Sequence, residues 1–519
     1  MKAGRNWLFL AVIAVSAILA WRVLTGPAAA PTDAPAAEFS AGRAMADVSV
    51  IAKETHVVGS PEDAAVRDYL VGRMTALDLS PRVQATTRVS DKTHLPVQVD
   101  NVIGVLPGRD AGQPATAVMA HYDSTRHGPG AADDAGGAAA VLEIARALKL
   151  GQPPVRDVAF IITDGEEAGM LGAKSFFAED PLAKRLGFLV NIEARGSRGR
   201  AMMFETGHDN GGTIRLFATA AERPVSNSLM VLVYDLMPNF TDFTEGKKRG
   251  LPGVNFAFLG GPRDYHAATD TPANLDQRSL QDIGSQALAV TRAVAQGPLP
   301  AKAPNLVYSD VLNMGVIAYP PVVGWLLIGA GAVLIAVGAW RSKRISVRAL
   351  GWGALSSVAL LLVSALAFFA VQQLAAVLKL RVDDLTLPIE AAAWIVAGAA
   401  LLVWFRLIPT RRGAWSGMLA SGLVLGIVVQ IAAPGAAPVF VWPLIPAALA
   451  SALTGEGRRW QGLIALLAIP ALAFATSLTH LAYLSLLSPL PMALWPWIAG
   501  LLLAPLSPWA RARYSGKSV

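Results

Sequence analysis

The chain has 519 residues, 53% of them hydrophobic and 16% charged, where an ordinary soluble domain carries about 25% charged residues. A disordered protein is excluded, a purely soluble one is not expected, and the length leaves room for about three domains. The absence of cysteine rules out disulfide scaffolds, thiolate metal sites and cysteine nucleophiles, and leaves cysteine usage silent about compartment.

Charge is unevenly spread. After Asp310 the only acids are Asp383, Asp384, Glu390 and Glu456, against 14 Lys and Arg. The basic balance belongs to this apolar C-terminal part, so no nucleic-acid partner is expected from it.

In chain order, the first element is an apolar run from Trp7 to Leu24 behind Met1-Lys2-Ala3-Gly4-Arg5. It is long enough to span a bilayer, for which about 20 residues are typical. Residues 1–25 are read as an uncleaved anchor, with a signal peptide as the alternative, because Ala28-Ala29-Ala30 would suit a peptidase. Residues 26–40, rich in Ala, Pro and Thr, read as a linker lifting a domain off the membrane. Residues 41–300 read as one large α/β domain. Strand-like runs appear at Val99–Leu106, Thr116–Ala120, Val158–Thr163, Phe188–Ile192 and Val254–Leu259. Helix-like stretches alternate with them, at Glu62–Ala76, Gly137–Leu148, Leu171–Phe177, Thr213–Ala221 and Leu280–Ala295. Such alternation predicts a mixed, mostly parallel sheet between helices.

A second linker is expected at 301–315, followed by a membrane domain at 316–519. Seven apolar runs lie near 316–340, 350–378, 387–405, 414–433, 436–453, 460–479 and 489–506, each about the length of a spanning helix. Basic residues fill every second loop: Arg341, Lys343, Arg344 and Arg348; Arg406, Arg411 and Arg412; Arg458 and Arg459; Arg511, Arg513 and Lys517. By the positive-inside rule both termini are cytoplasmic and the domain lies outside, as on the periplasmic face of a bacterial-type cytoplasmic membrane.

Chemistry concentrates at predicted strand ends. His121 and Asp123 follow one strand, and Asp133 and Asp134 lie in the glycine-flanked turn Gly130–Gly137 before a helix. Glu166 and Glu167 end the next strand, Glu193 the one after, and Tyr265-His266 follows the last. In an open α/β sheet, ligands bind outside the carboxyl ends of the strands. Imidazoles and carboxylates gathered there suit zinc or a similar divalent ion. A lone histidine after a strand is more often structural, and paired acids are usually solvated. The ordered set of five carries the weight.

That set, with its flanking glycines, resembles the co-catalytic di-zinc aminopeptidase family, which includes secreted leucyl aminopeptidases and aminopeptidase Y. Glu193, within Asn191-Ile192-Glu193, is similar to the membrane-embedded branch of ER and vacuolar-membrane metallopeptidases. The resemblance implies two zinc ions, with Asp133 bridging, His121 and Glu193 completing one site, and Glu167 and His266 the other. It further implies Glu166 as general base, Tyr265 as oxyanion donor, and Asp123 and Asp134 as supporting carboxylates behind the ligands. The implied function is a membrane-anchored exopeptidase acting on peptides. The interval from Glu193 to His266 leaves no room for the lid domain of related carboxypeptidases. A single-zinc glutaminyl-cyclase-like enzyme and a non-catalytic peptide receptor on a transporter or scaffold remain as alternatives, and the sequence gives no oligomeric state. Outside the set, His56, His94 and His208 read as surface or loop residues, and His127 as a weak substrate-contact candidate. Asp242 reads as structural or substrate-positioning. His480 and Glu390 read as interfacial groups at the outer ends of spans.

Overall fold

The computed structural model describes residues 2–342, 346–378, 386–407, 414–454 and 460–506. The chain divides into two compact units, one of Thr25–Ala318 and one of Met1–Leu24, which holds α1 (Lys2–Leu24), with Tyr319–Val519.

The first unit is built on a seven-stranded sheet. Its strands are β1 (Arg82–Val89), β2 (Pro96–Leu106), β3 (Ala115–His121), β4 (Val158–Thr163), β5 (Leu186–Ala194), β6 (Arg198–Thr206) and β7 (Gly253–Gly260), in the order β1-β2-β4-β3-β5-β7-β6. The inner four, β4, β3, β5 and β7, are parallel; β2 and β6 flank them antiparallel, and β1 pairs antiparallel with β2 at the edge. β3 and β4 are buried at every position, as continuous apolar runs covered on both faces must be. Alternation along β3 sends Val118 and Ala120 into one core and Ala117 and Met119 into the other. The larger core lies under α2 (Ala41–Ile51), α4 (Gly136–Lys149) and α9 (Gln277–Gln296). The smaller lies under α5 (Leu171–Glu179) and α8 (Asp242–Lys248). The three remaining helices of the unit are α3 (Pro61–Ala76), α6 (Gly211–Ala220) and α7 (Ser228–Leu236).

Both expected linkers are structured instead. Gln281 Oε1 accepts from the backbone N–H groups of Ala30 and Ala41. Arg43 donates to the carbonyls of Thr32, Ala34 and Glu38, and Arg146 to those of Ala36 and Glu38. An Ala/Pro segment has few side-chain donors of its own, and distant arginines and a glutamine supply what straps it down. Beyond residue 301, β8 (Val307–Asp310) pairs with β9 (Val316–Tyr319), and Asp310 N–H donates to Ser226 carbonyl.

Across β6 and α9, Arg200 Nε meets Asp282 Oδ2 at 2.6 Å with both side chains almost fully buried. Asp282→Ala removes the carboxylate that meets this buried guanidinium and is expected to cost about 3–5 kcal/mol. The check is the unfolding midpoint of the purified protein, which should fall clearly below that of the unaltered chain.

In the second unit, six helices among the described residues are long and apolar enough to cross a membrane by length and composition: Trp7–Leu24, Pro321–Arg341, Val347–Val377, Pro388–Leu407, Ala414–Ala432 and Gln461–Leu486. Pro438–Leu453 and Leu490–Leu506 are shorter. The last is a ten-residue α-helix, Leu494–Leu503, between 3-10 turns. Prolines 489, 491 and 505 withhold the N–H groups that a continuous helix needs. Lys343, Arg344, Asp383, Asp384, Arg411, Arg412, Arg458, Arg459, Arg511, Arg513 and Lys517, on which the orientation largely rests, lie outside the described residues. Glu390 and His480 meet: the imidazole Nδ1 is 2.5 Å from Glu390 Oε1, which also accepts from Trp394 Nε1 at 3.1 Å.

Candidate metal centre

The parallel strands β4, β3, β5 and β7 deliver their carboxyl ends to one edge of the sheet, and the predicted site residues assemble there. His121 ends β3 and Glu193 lies near the end of β5, while Glu166 and Glu167 follow β4 and His266 follows β7. Asp133 sits in the turn that opens α4, where the Asp133–Asp134 peptide bond is cis. Two groups of possible ligands form. His121, Asp133 and Glu193 are one, and Asp133, Glu167 and His266 the other, each with ligand atoms within 4.8 Å of one another. Asp133 belongs to both. Its Oδ1 is 3.3 Å from His121 Nε2 and its Oδ2 3.0 Å from His266 Nε2.

The fit to a metal can be judged from the donors. Glu167 Oε1 is buried and faces only the imidazole of His266, with Nε2 at 2.7 Å. A buried carboxylate oxygen is costly unless a cation takes it. Nitrogen and carboxylate-oxygen donors with no sulfur suit zinc and its borderline neighbours. Without a cation the histidines must serve. Burial alone would lower the His121 pKa, yet Asp123 and Asp133 outweigh it and hold the imidazole well above its usual range. His266, where Asp133 and Glu167 likewise overcome burial, is pushed up to about 10. Burial raises Glu193 and Glu166 well above ordinary carboxylates, against the pull of His121.

Supporting groups fix this arrangement. His121 Nδ1 donates to the Asp123 carbonyl at 3.1 Å, leaving Nε2 for Asp133. The Asp123 carboxylate, expected behind the imidazole, also cradles the loop that carries both glutamates. Its Oδ1 accepts from Glu166 N–H (2.9 Å) and its Oδ2 from Glu167 N–H (3.1 Å). Asp134 turns to α4, accepting from Gly137 N–H at 3.0 Å. Tyr265 stacks on His266 with ring centroids 3.8 Å apart. Burial and the nearby Asp133 and Glu167 carboxylates raise its phenol, which stays protonated and able to donate.

Three groups escaped the sequence reading. Asp270 accepts from Ala132 N–H (2.7 Å) and Asp133 N–H (3.2 Å), holding the Asp133 turn from 137 residues away. Nothing in Ala267-Ala268-Thr269-Asp270 signals this. Tyr234 of α7 is close enough to Glu193 and Glu166 for their charges to raise its phenol further, beyond the effect of burial and Glu205. Lys92 Nζ lies 3.3 Å from Glu167 Oε2. His56, read as a surface or loop histidine, lies in a loop but is buried there, its backbone N–H donating to Ser124 Oγ and its Nδ1 2.8 Å from the Glu54 carbonyl. His94, His127 and His208 are exposed. Asp242 is buried and accepts from the Thr163 hydroxyl at the end of β4.

Behind the centre, burial pushes Asp63 up to about 8, although its Oδ2 accepts from Gly59 N–H at 3.0 Å. The folded pKa lies above the unfolded value of about 3.9. The group's contribution to stability is therefore complete below about pH 4 and is lost as pH rises through about 8. Asp63→Asn should flatten the fall in Tm between pH 4 and 8. Thermal melts of both proteins across that range provide the check.

Residues 101–291 match Peptidase family M28. The chain is 31% identical over 238 residues to endoplasmic reticulum metallopeptidase 1 of Homo sapiens, a stretch covering 44% of this chain and 26% of that protein. It is 30% identical over 253 residues to vacuolar membrane protease of Candida dubliniensis, covering 47% of this chain and 27% of that one. The chain thus spans about a quarter of the length of these curated relatives. Among solved structures it matches the aminopeptidase from Aneurinibacillus sp. strain AM-1 with a TM-score of 0.43 and 14% identity, over 52% of this chain and 97% of that chain.

Proposed function

We propose, from the match of residues 101–291 to Peptidase family M28, that the protein is a multi-pass membrane zinc aminopeptidase. It removes N-terminal residues from peptides outside the cytoplasmic membrane, with both termini inside. The observation that carries the reading is the pair of three-residue donor groups sharing Asp133. One carboxylate with an oxygen for each group is what a bridged two-metal centre requires.

When bound, two zinc ions would polarise the scissile carbonyl and make a water acidic enough to attack at neutral pH. His121 and Glu193 would hold one ion, Glu167 and His266 the other, and Asp133 would contribute to both. Glu166 belongs to neither group and is free to accept the water's proton and deliver it to the leaving amine. Its backbone is anchored on Asp123, so its carboxylate works from a fixed base. Tyr265 donates its phenolic hydrogen to the oxyanion that forms on the carbonyl.

The test compares one peptide with its N-terminus free and acetylated, using the purified full-length protein with zinc and then with chelator. Release of the first residue from the free peptide alone, abolished by chelator, is expected. Equal cleavage of both, or cleavage only at internal bonds, would overturn the aminopeptidase reading.

A further inference from the structure

The two oxygens of Glu167 have different surroundings. Oε1 is enclosed and faces His266 within the Asp133–Glu167–His266 group. Oε2 accepts from Lys92 Nζ at 3.3 Å. Lys92 lies in the turn between β1 and β2, and its side chain is 61% exposed, the usual mark of a solvated surface charge.

The turn around it is nevertheless well fixed. Buried Ser90 accepts through Oγ from the N–H groups of Lys92 and Thr93, each at 3.2 Å. Asp91 N–H donates to the carbonyl of Ala168, the residue after Glu167, at 3.0 Å. Asp91 Oδ2 also meets Lys174 Nζ at 2.7 Å. The hairpin tip is therefore tied through Asp91, next to the lysine, to the loop that bears Glu167 and to α5, and the ammonium is carried to the outer carboxylate oxygen.

We propose that Lys92 is a positioning residue for the metal centre: by holding Glu167 Oε2 it commits Oε1 to the metal and keeps Glu167 a one-oxygen ligand. The proposal rests on the zinc-peptidase reading above. A carboxylate free at its outer oxygen can rotate or chelate through both oxygens, and groups that hold a ligand from behind typically contribute 10–100-fold in metal affinity. The effect is local. The His121–Glu193 side has no link to Lys92 among these contacts, so one site weakens and the other does not.

The experiment is a zinc competition titration against a chromophoric chelator on the purified full-length protein, comparing wild type, Lys92→Met and Lys92→Arg. Lys92→Met should weaken one zinc-binding step by about 10–100-fold and leave the rest of the curve in place. Lys92→Arg, which keeps a cation within reach, should restore most of it. A merely structural lysine would shift the unfolding midpoint of the metal-free protein without weakening a single step. If every step of Lys92→Met stays within about twofold of wild type, Lys92 does not position Glu167, while the zinc reading stands. A wild type that takes up no zinc would instead overturn the functional reading and the lysine's role with it.

Discussion

Replacing Glu166 by Gln is expected to lower kcat by about 10²–10⁴-fold, the range for losing a general base, while zinc content stays unchanged. Gln has the same shape, and the backbone at this position is held by Asp123 Oδ1 at 2.9 Å, so the substitution removes only the oxygen that takes the proton. Glu166 is absent from both donor groups, which is why the metal should remain. Burial, helped by the Asp242 and Glu167 carboxylates and opposed by His121, raises its pKa well above an ordinary glutamate. That suits a group that must accept a proton and then give it up. The measurement is single-turnover kinetics beside zinc analysis of the same preparation. Loss of zinc would make Glu166 a ligand, and undiminished turnover would remove it from the mechanism.

Asp133→Asn should have the other large effect, and on binding as much as on rate. The two oxygens of Asp133 are divided between the histidines of the two groups, at 3.3 and 3.0 Å. Asn keeps one acceptor and replaces the other with an NH2 that has no lone pair for a cation and carries partial positive charge. The variant is expected to lose at least one metal outright and to hold any remaining one loosely, with turnover below detection. His266→Gln, by contrast, should empty one site and spare the other. An Asp133→Asn protein that keeps full zinc would show that the carboxylate does not bridge.

The parts of this protein that could be read from sequence are those whose signal is local. β3, β4, β5 and β7 are mostly apolar because both faces of an inner parallel strand are covered, and the ligands sit at or just past their carboxyl ends, where an α/β sheet exposes its loops. β1 escaped notice because Arg82–Val89, at the sheet edge, is partly exposed throughout and carries no apolar run. α8 is seven residues long, too short for a helical period to declare itself. Longer-range features were invisible for a different reason. The strap at residues 30–38 is held by Arg43, Arg146 and Gln281, and composition alone made it look like a free spacer. Asp270 and Lys92 act on residues 137 and 75 positions away. No spacing rule links such pairs until the chain has folded.

The two-metal centre is tested most directly by measuring zinc per chain on the purified full-length protein by inductively coupled plasma mass spectrometry. Close to two zinc ions per chain, removed by chelator together with all aminopeptidase activity, is the result that Asp133 shared between two donor groups predicts. One ion per chain in an active, folded protein, or none in a folded protein never exposed to chelator, would contradict it.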